Sequence, residues 1–225
     1  GMLTTSEKND PPLTGKIFVA RNGAKRWLKE KPKKEPIVLL AGRMVPEKGI
    51  LECVEALAET LPRHPEWRLI IAGARRFENS NLGSYEKKIV KTAKLLGDQA
   101  QVLGYIPPNE LRTLQAISAI AACPSLWQEP ISRVVLESLA AGCALLTTRR
   151  GGIPEVADGR AIIIDDPNRD NFIRAFEQLI VDEKLRKSLQ EKAWKDFPFT
   201  DRLMAKTADK CRVKALIGNS AGNSI

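Results

Sequence analysis

Histidine is almost missing from this sequence: His64 is the only one. It sits in the Pro-flanked stretch "PRHPEW", so neither a Ser-His-Asp triad nor a His-ligated metal centre is expected. Cysteines are few too. Cys53, Cys123, Cys143 and Cys211 stand 70, 20 and 68 residues apart with no CxxC pair, which argues against both a zinc site and a disulfide framework. No apolar run approaches the ~20 residues of a membrane span, and the strongest, "IVLLA", "LIIAG" and "ISAIAAC", are strand-length. No charged start followed by an apolar stretch and a cleavage site marks a signal peptide, so the expected location is cytoplasmic, with peripheral attachment to the cytosolic membrane face as a variant. Gly1 ahead of Met2 reads as the remnant of a cleaved tag. The chain is therefore expected to be part of a longer product, with residues 1–15 a disordered leader.

What is present points to one α/β layer system. A chain of 225 residues with 43% apolar composition can bury one substantial core. Apolar strands at 37–42, 67–73, 101–104, 117–123, 143–148 and 160–165 alternate with helical patterns, and "KIFVA" at 16–20 adds a short leading strand. From Lys48, the spacing of Ile50, Val54, Leu57, Ala58 and Leu61 gives a helix with one buried face. A second helix is expected near 84–96, a third from Pro108 and a fourth over "SRVVLESLAAG", stopped by Gly142. Two or three more close the chain. Continuous apolar strands joined through helices predict a Rossmann-like, doubly wound parallel sheet in three α/β/α layers. The expected domain is 16–198, with 199–225 a C-terminal helix and tail.

In such sheets ligands bind beyond the carboxyl ends of the strands. Those loops carry many cations: Arg43 and Lys48, Arg75 and Arg76, Arg133, then Arg149 and Arg150. Basic residues beside a helix start oppose its dipole by roughly 0.3–1 kcal/mol per charge unless an anion lies between them. Arg43 with Lys48 therefore predicts a phosphate site. The net charge of +9, from 36 basic and 27 acidic residues, fits an anionic partner. The Lys-rich segment 25–34 reads as a solvated linker.

The familiar nucleotide signatures are lacking. "GRMVPEKG" has the wrong spacing for a P-loop and Gly49 where Ser or Thr belongs, and no GxGxxG follows the first strand. Glu129 and Glu137 do not suit a glycosidase pair, because eight helical residues rise ~12 Å and end ~80° out of alignment. No third ligand stands near them for a metal. Glu129 in a loop and Glu137 two turns into a helix fit one elongated ligand better, with the N–H groups of 132–134 facing phosphates between them.

"GRMVPEKG", "GYIPPNEL", Glu129 with Glu137, "AAGCALLTT" and "GGIPEV", in this order, resemble the C-terminal, donor-binding domain of a GT-B-fold retaining glycosyltransferase of family 4. The likeness runs from about Lys16 to Phe197. It implies that Arg43 and Lys48 hold the donor diphosphate, that Glu129 contacts the transferred sugar, and that these three carry catalysis. It further implies that Glu137 holds the ribose and that the backbone at Tyr105 and Ile106 meets the base. Gly42, Gly73, Ile131, Ser132, Arg133, Val134, Gly151 and Gly152 complete the substrate-binding candidates. Ile131-Ser132 replaces the family's Phe-Gly, altering the closest backbone approach. No metal or cofactor is implied; a nucleoside diphosphate sugar enters as donor. The implied partner is an N-terminal acceptor domain, with an anionic membrane surface as a further candidate and no nucleic acid.

Two alternatives stay open. A GT-B-type sugar-nucleotide epimerase would use similar loops, and a non-catalytic anion-binding module would rely on segment 25–34.

Overall fold

The computed structural model describes residues 18–75 and 81–220, the last four by backbone alone. Six strands form one sheet: β1 (Glu35–Ala41), β2 (Arg68–Ala72), β3 (Ala100–Gly104), β4 (Ser118–Cys123), β5 (Ala144–Thr148) and β6 (Ala161–Ile164). Their order is β3-β2-β1-β4-β5-β6 and every pairing is parallel. The chain winds outward one way from β1 and the other way from β4, so the topological switch lies between these two strands. That is where a doubly wound sheet opens a crevice.

Alternation along β1 divides the core. Val38 and Leu40 turn to one face, where they join Val54 and Leu57 of α1 (Ile50–Thr60) and Phe172 and Phe176 of α6 (Arg169–Val181). Ile37, Leu39 and Ala41 turn to the other face. There the β4–β5 side is covered by Val135, Leu136 and Leu139 of α4 (Arg133–Ala140). Covering both faces is what makes the strands read as unbroken apolar runs.

The remaining helices are α2 (Ser84–Ala93), α3 (Pro108–Ile117), α5 (Pro154–Ala157), α7 (Glu183–Lys195) and α8 (Asp201–Ser220). The sequence pattern missed α5, a four-residue helix too short to show a period, and gave Ile117 to a strand although it closes α3. It also set a helix start at Lys48, whereas Pro46–Lys48 is a separate 3-10 turn and Gly49 breaks it from α1. The expected leading strand does not form over residues 18–20, while Lys16 and Ile17 lie outside the described residues, as does the 1–15 leader. An apolar run becomes a strand only beside a sheet edge, and here only Ala24 pairs, through one bridge to Thr200.

Segment 25–34 is more than a solvated linker. Lys34 Nζ donates to the carbonyls of Gln115 (3.0 Å), Ala116 (2.8 Å) and Ala141 (2.9 Å). These oxygens close the C-terminal ends of α3 and α4, where a cation also meets the negative pole of each helix. Arg26 lies over the Trp194 ring at 4.3 Å and donates to the Trp194 carbonyl. The segment thus straps the back of the two helices whose front ends face the crevice.

Candidate functional site

At the β1/β4 switch point a cavity of about 620 Å³ opens between the ends of β1, β2 and β4 and the first turns of α3 and α4. Two glycines admit it. Gly42 and Gly73 hold φ of 145° and 144°, values that side chains rarely adopt. A Cβ on Gly73 would lie 1.8 Å from the Gly42 carbonyl, while one on Gly42 would meet nothing within 4 Å. Gly73 therefore lets two strand ends converge, and Gly42 keeps the space in front of them open.

Lys48 reaches the cavity because the turn carrying it is fastened to the loop after β4. Gly49 adopts φ 65° against the Pro124 carbonyl, which a Cβ would approach to 2.1 Å. The Leu126 N–H also donates to the Glu47 carbonyl at 2.9 Å. Lys48 Nζ consequently forms an ion pair with Glu129 Oε2. The same oxygen accepts from Ser125 Oγ at 2.7 Å and from Trp127 Nε1 at 3.0 Å. Burial alone would raise the Glu129 pKa, but the bonds from Lys48, Ser125 and Trp127 outweigh it and hold the carboxyl below its ordinary value. Glu129 is a buried, charged acid with one oxygen fully engaged.

This pair revises the phosphate argument. The anion beside Lys48 is the chain's own Glu129, so a ligand phosphate would share the ammonium rather than own it. Arg43 differs: it is exposed, it lines the cavity, and no partner holds it among the described residues. The N-terminal turn of α4 presents Ser132, Arg133 and Val134 to the same space. Ser132 is the N-cap, yet its hydroxyl makes no capping bond, which leaves both hydroxyl and helix N–H groups for a ligand. Glu137 lines the cavity one turn further on and accepts from Arg133 at 3.3 Å. Tyr105 and Ile106 border it from the loop after β3.

Ile131, Gly151 and Gly152 do not border the cavity. The glycines are required by the chain itself: a Cβ would lie 1.9 Å from the Glu129 carbonyl at Gly151 and 1.9 Å from the Pro130 carbonyl at Gly152. The Gly152 N–H donates to the Glu129 carbonyl at 2.7 Å, and Ile131 packs into the core on α4's side of the sheet. All three brace the Glu129–Pro130 turn from behind. Arg149 is bound to Asp165 and Asp158 and Arg150 to backbone carbonyls, away from the lining. Arg75 lines the cavity, and Arg76 lies outside the described residues.

Sequence reasoning overlooked Ser125 and Arg112. Ser125 follows a strand end directly, a position that merits inspection in any doubly wound sheet. Arg112 follows Leu111, and both lie one turn after Pro108 on the face of α3 that lines the cavity. No signal for Arg112 existed beyond that helical spacing.

The sequence profile of the glycosyl transferases group 1 family matches residues 23–196. The chain belongs to this family. Among the relatives this chain is similar to is the lipopolysaccharide 1,2-N-acetylglucosaminetransferase of Salmonella typhimurium, 29% identical over 70% of this chain and 42% of its own. The fold of this chain is similar to that of the C-terminal domain of a glycosyl transferase group 1 family protein, LpcC, of Francisella tularensis. That match has a TM-score of 0.62 and 24% identity, over 79% of this chain and 91% of the other. Anabaena HepE, solved with UDP-glucose, aligns at a TM-score of 0.64 and 20% identity over 80% of this chain and 49% of its own. The group 1 chain spans about two fifths of the length of the curated relatives it matches.

Proposed function

We propose that this chain is the donor-binding part of a retaining, family 4 glycosyltransferase that moves a hexose from a nucleoside diphosphate sugar to a hydroxyl of a glycan or lipid-linked acceptor. One observation carries the reading. An uncommitted guanidinium, Arg43, faces the same switch-point cavity as an ammonium shared with a buried carboxylate and the open N-terminus of α4.

As the bond from the sugar to the diphosphate breaks, negative charge grows on the leaving phosphate oxygens. Fixed donors there lower the barrier most. Arg43, Lys48 and the N–H groups opening α4 supply them. Glu129 keeps Lys48 in place through Oε2 and offers Oε1 to a sugar hydroxyl. Glu137, at the far side of the cavity, receives the ribose hydroxyls, and the backbone around Tyr105 and Ile106 meets the base. Retention follows from attack on the face that the diphosphate leaves, with no enzymatic nucleophile. A relative named for N-acetylglucosamine transfer and a fold neighbour holding UDP-glucose support this assignment. The acceptor site then belongs to an N-terminal domain of the whole protein, and these 225 residues alone bind donor weakly and transfer nothing.

The test is a thermal-shift panel of UDP, GDP and ADP, with and without Mg²⁺, on the chain and on Arg43→Ala. One nucleotide should raise the melting temperature of the parent and leave the variant unmoved, since a ligand stabilises only what binds it. An equal shift in both proteins would refute the diphosphate clamp.

A further inference from the structure

Five cations line the switch-point cavity: Arg43, Lys48, Arg75, Arg112 and Arg133. Four of them have an occupation. Lys48 pairs with Glu129 and Arg133 with Glu137, Arg75 stands 4.0 Å from the buried Glu86, and Arg43 faces the diphosphate in the reading above. Arg112 is left over. It is partly buried, and among the described residues neither a hydrogen bond nor an ion pair engages it. Its guanidinium lies 5.7 Å from the centroid of the Trp27 ring. The ring attracts the charge but gives the N–H fork no oxygen. A charged donor partly withdrawn from water without an acceptor is costly, and the cavity it lines is where an acceptor can enter.

The strand order β3-β2-β1-β4 sets the direction of that cavity. Ser125 and Glu129 follow β4 at one end, and Tyr105 and Ile106 follow β3 at the other. Arg112 stands at the β3 end, one turn into α3. Ile106, Pro108 and Leu111 make this end apolar, as the flat face of a ring requires. Both acids of the lining are already engaged, Glu129 by Lys48 and Glu137 by Arg133, so the uncommitted charged side chain at this end is a donor. With the sugar at Glu129 and the diphosphate at Arg43, the part of the ligand that reaches Arg112 is the base.

We propose that Arg112 selects the nucleobase, admitting bases that carry an exocyclic carbonyl and rejecting those with an exocyclic amine in its place. The inference rests on the donor-site reading and adds the class of base to it. A guanidinium has donors only. Uracil O4 accepts from it, and guanine O6 with N7 accepts from both sides of its fork. Adenine and cytosine turn an amine to the same position, so that two donors face each other and the buried guanidinium stays unpaired. The backbone at Tyr105 and Ile106 holds one donor and one acceptor per residue, which suits either kind of base and does not choose between them.

Calorimetric titration of the 225-residue chain with two matched pairs tests it, IDP against ADP and UDP against CDP. Members of a pair share ring size and charge, and differ by a carbonyl for an amine and by the ring nitrogen beside it. Hypoxanthine keeps the O6 and N7 of guanine. In the pair whose ring size fits, the carbonyl member should bind roughly 5- to 150-fold more tightly. In Arg112→Gln, whose amide both donates and accepts, that ratio should fall to within about twofold, while affinity for inorganic pyrophosphate stays unchanged. Equal affinity within the pair would overturn the proposal, as would a preference that survives in Arg112→Gln. A loss in the variant shared equally by all four nucleotides and by pyrophosphate would place Arg112 at the phosphates and overturn it too. The ratio in the parent is measured without the variant, so a variant that fails to fold leaves the first refutation in force. Failure of the donor-site reading looks different: no nucleotide and no pyrophosphate binds, and the inference falls with it.

Discussion

Lys48 and Glu129, 81 residues apart in sequence, form one ion pair at the base of the cavity, and both are largely enclosed there. The pair ties the turn after β1 to the loop after β4, and so joins the two halves of the sheet where a ligand would lie. Each partner also restricts the other's chemistry. The ammonium cannot belong wholly to a phosphate, and the carboxylate stays charged despite its burial.

That pairing has a pH signature. The folded Glu129 titrates below its ordinary value of 4.5. Its contribution to stability is therefore complete above about 4.5 and is lost as pH falls through the lower folded value. In Lys48→Met the largest of the opposing bonds is gone and burial dominates, so acid unfolding should begin at higher pH. At neutral pH the variant should lose about 1–3 kcal/mol, the usual consequence of stripping a buried charged group of its partner. Urea unfolding followed from neutral pH into the acid range measures both effects, and an unchanged acid midpoint would show that the pair does not set the titration.

Two glycines should respond in opposite ways to the same methyl group. At Gly151, with φ 55°, alanine would push into the Glu129 carbonyl, a backbone atom that cannot swing aside. At Gly42 the added methyl meets open space and only the strained φ is felt, about 1–3 kcal/mol. Gly151→Ala should therefore melt lower than Gly42→Ala, where each kcal/mol corresponds to roughly 2–4 °C in a chain of this size. Gly42→Ala should in turn lose more nucleotide binding, because its methyl stands at the cavity mouth. Melting curves with and without nucleotide decide both orders.

The contrast also indicates what a sequence can carry. The alternation of apolar strands with amphipathic helices specified the sheet, because each strand buried on both faces leaves an unbroken run. The convergence of Arg43, Lys48, Glu129, Ser132 and Glu137 was legible because all lie just beyond strand ends or in the first turns of the helix that follows. Gly151 and Gly152 read as a turn or as a close approach to a ligand, and the Glu129–Pro130 turn by itself requires both glycines. Sequence distinguishes poorly between a glycine that admits a ligand and one that admits the chain's own carbonyl. Lys34 was hidden for a related reason: among neighbouring lysines, only the fold selects the one that meets two helix ends.

Lys34 supplies a third expectation. Removing its ammonium in Lys34→Met leaves three carbonyls at the ends of α3 and α4 without their shared donor. A loss of about 1–3 kcal/mol should follow. The adjacent exposed Lys33 gives the control, since Lys33→Met should remain within about 0.5 kcal/mol of the parent. The front ends of the same helices line the cavity, so Lys34→Met should also widen the spread of amide exchange at residues 109–112 and 132–134. Equal melting of the two variants would reduce the strap to an incidental contact.

Ser132 offers the finest distinction, because its hydroxyl borders the cavity while doing nothing for the helix it caps. Ser132→Gly retains a residue type accepted at N-caps and should alter stability by only a few tenths of a kcal/mol. If the hydroxyl donates to the sugar or the near phosphate, the variant should bind the cognate nucleotide sugar about 2- to 10-fold more weakly, as expected for one hydrogen bond of about 0.5–1.5 kcal/mol. The free nucleoside should bind both proteins alike. Calorimetric titration with the nucleoside, its diphosphate and the nucleotide sugar then places the hydroxyl: a loss confined to the sugar sets it at the transferred hexose, and a loss shared by the diphosphate sets it at the phosphates. Tighter binding by Ser132→Gly would mean instead that the side chain obstructs the approach of the ligand to the N–H groups of α4.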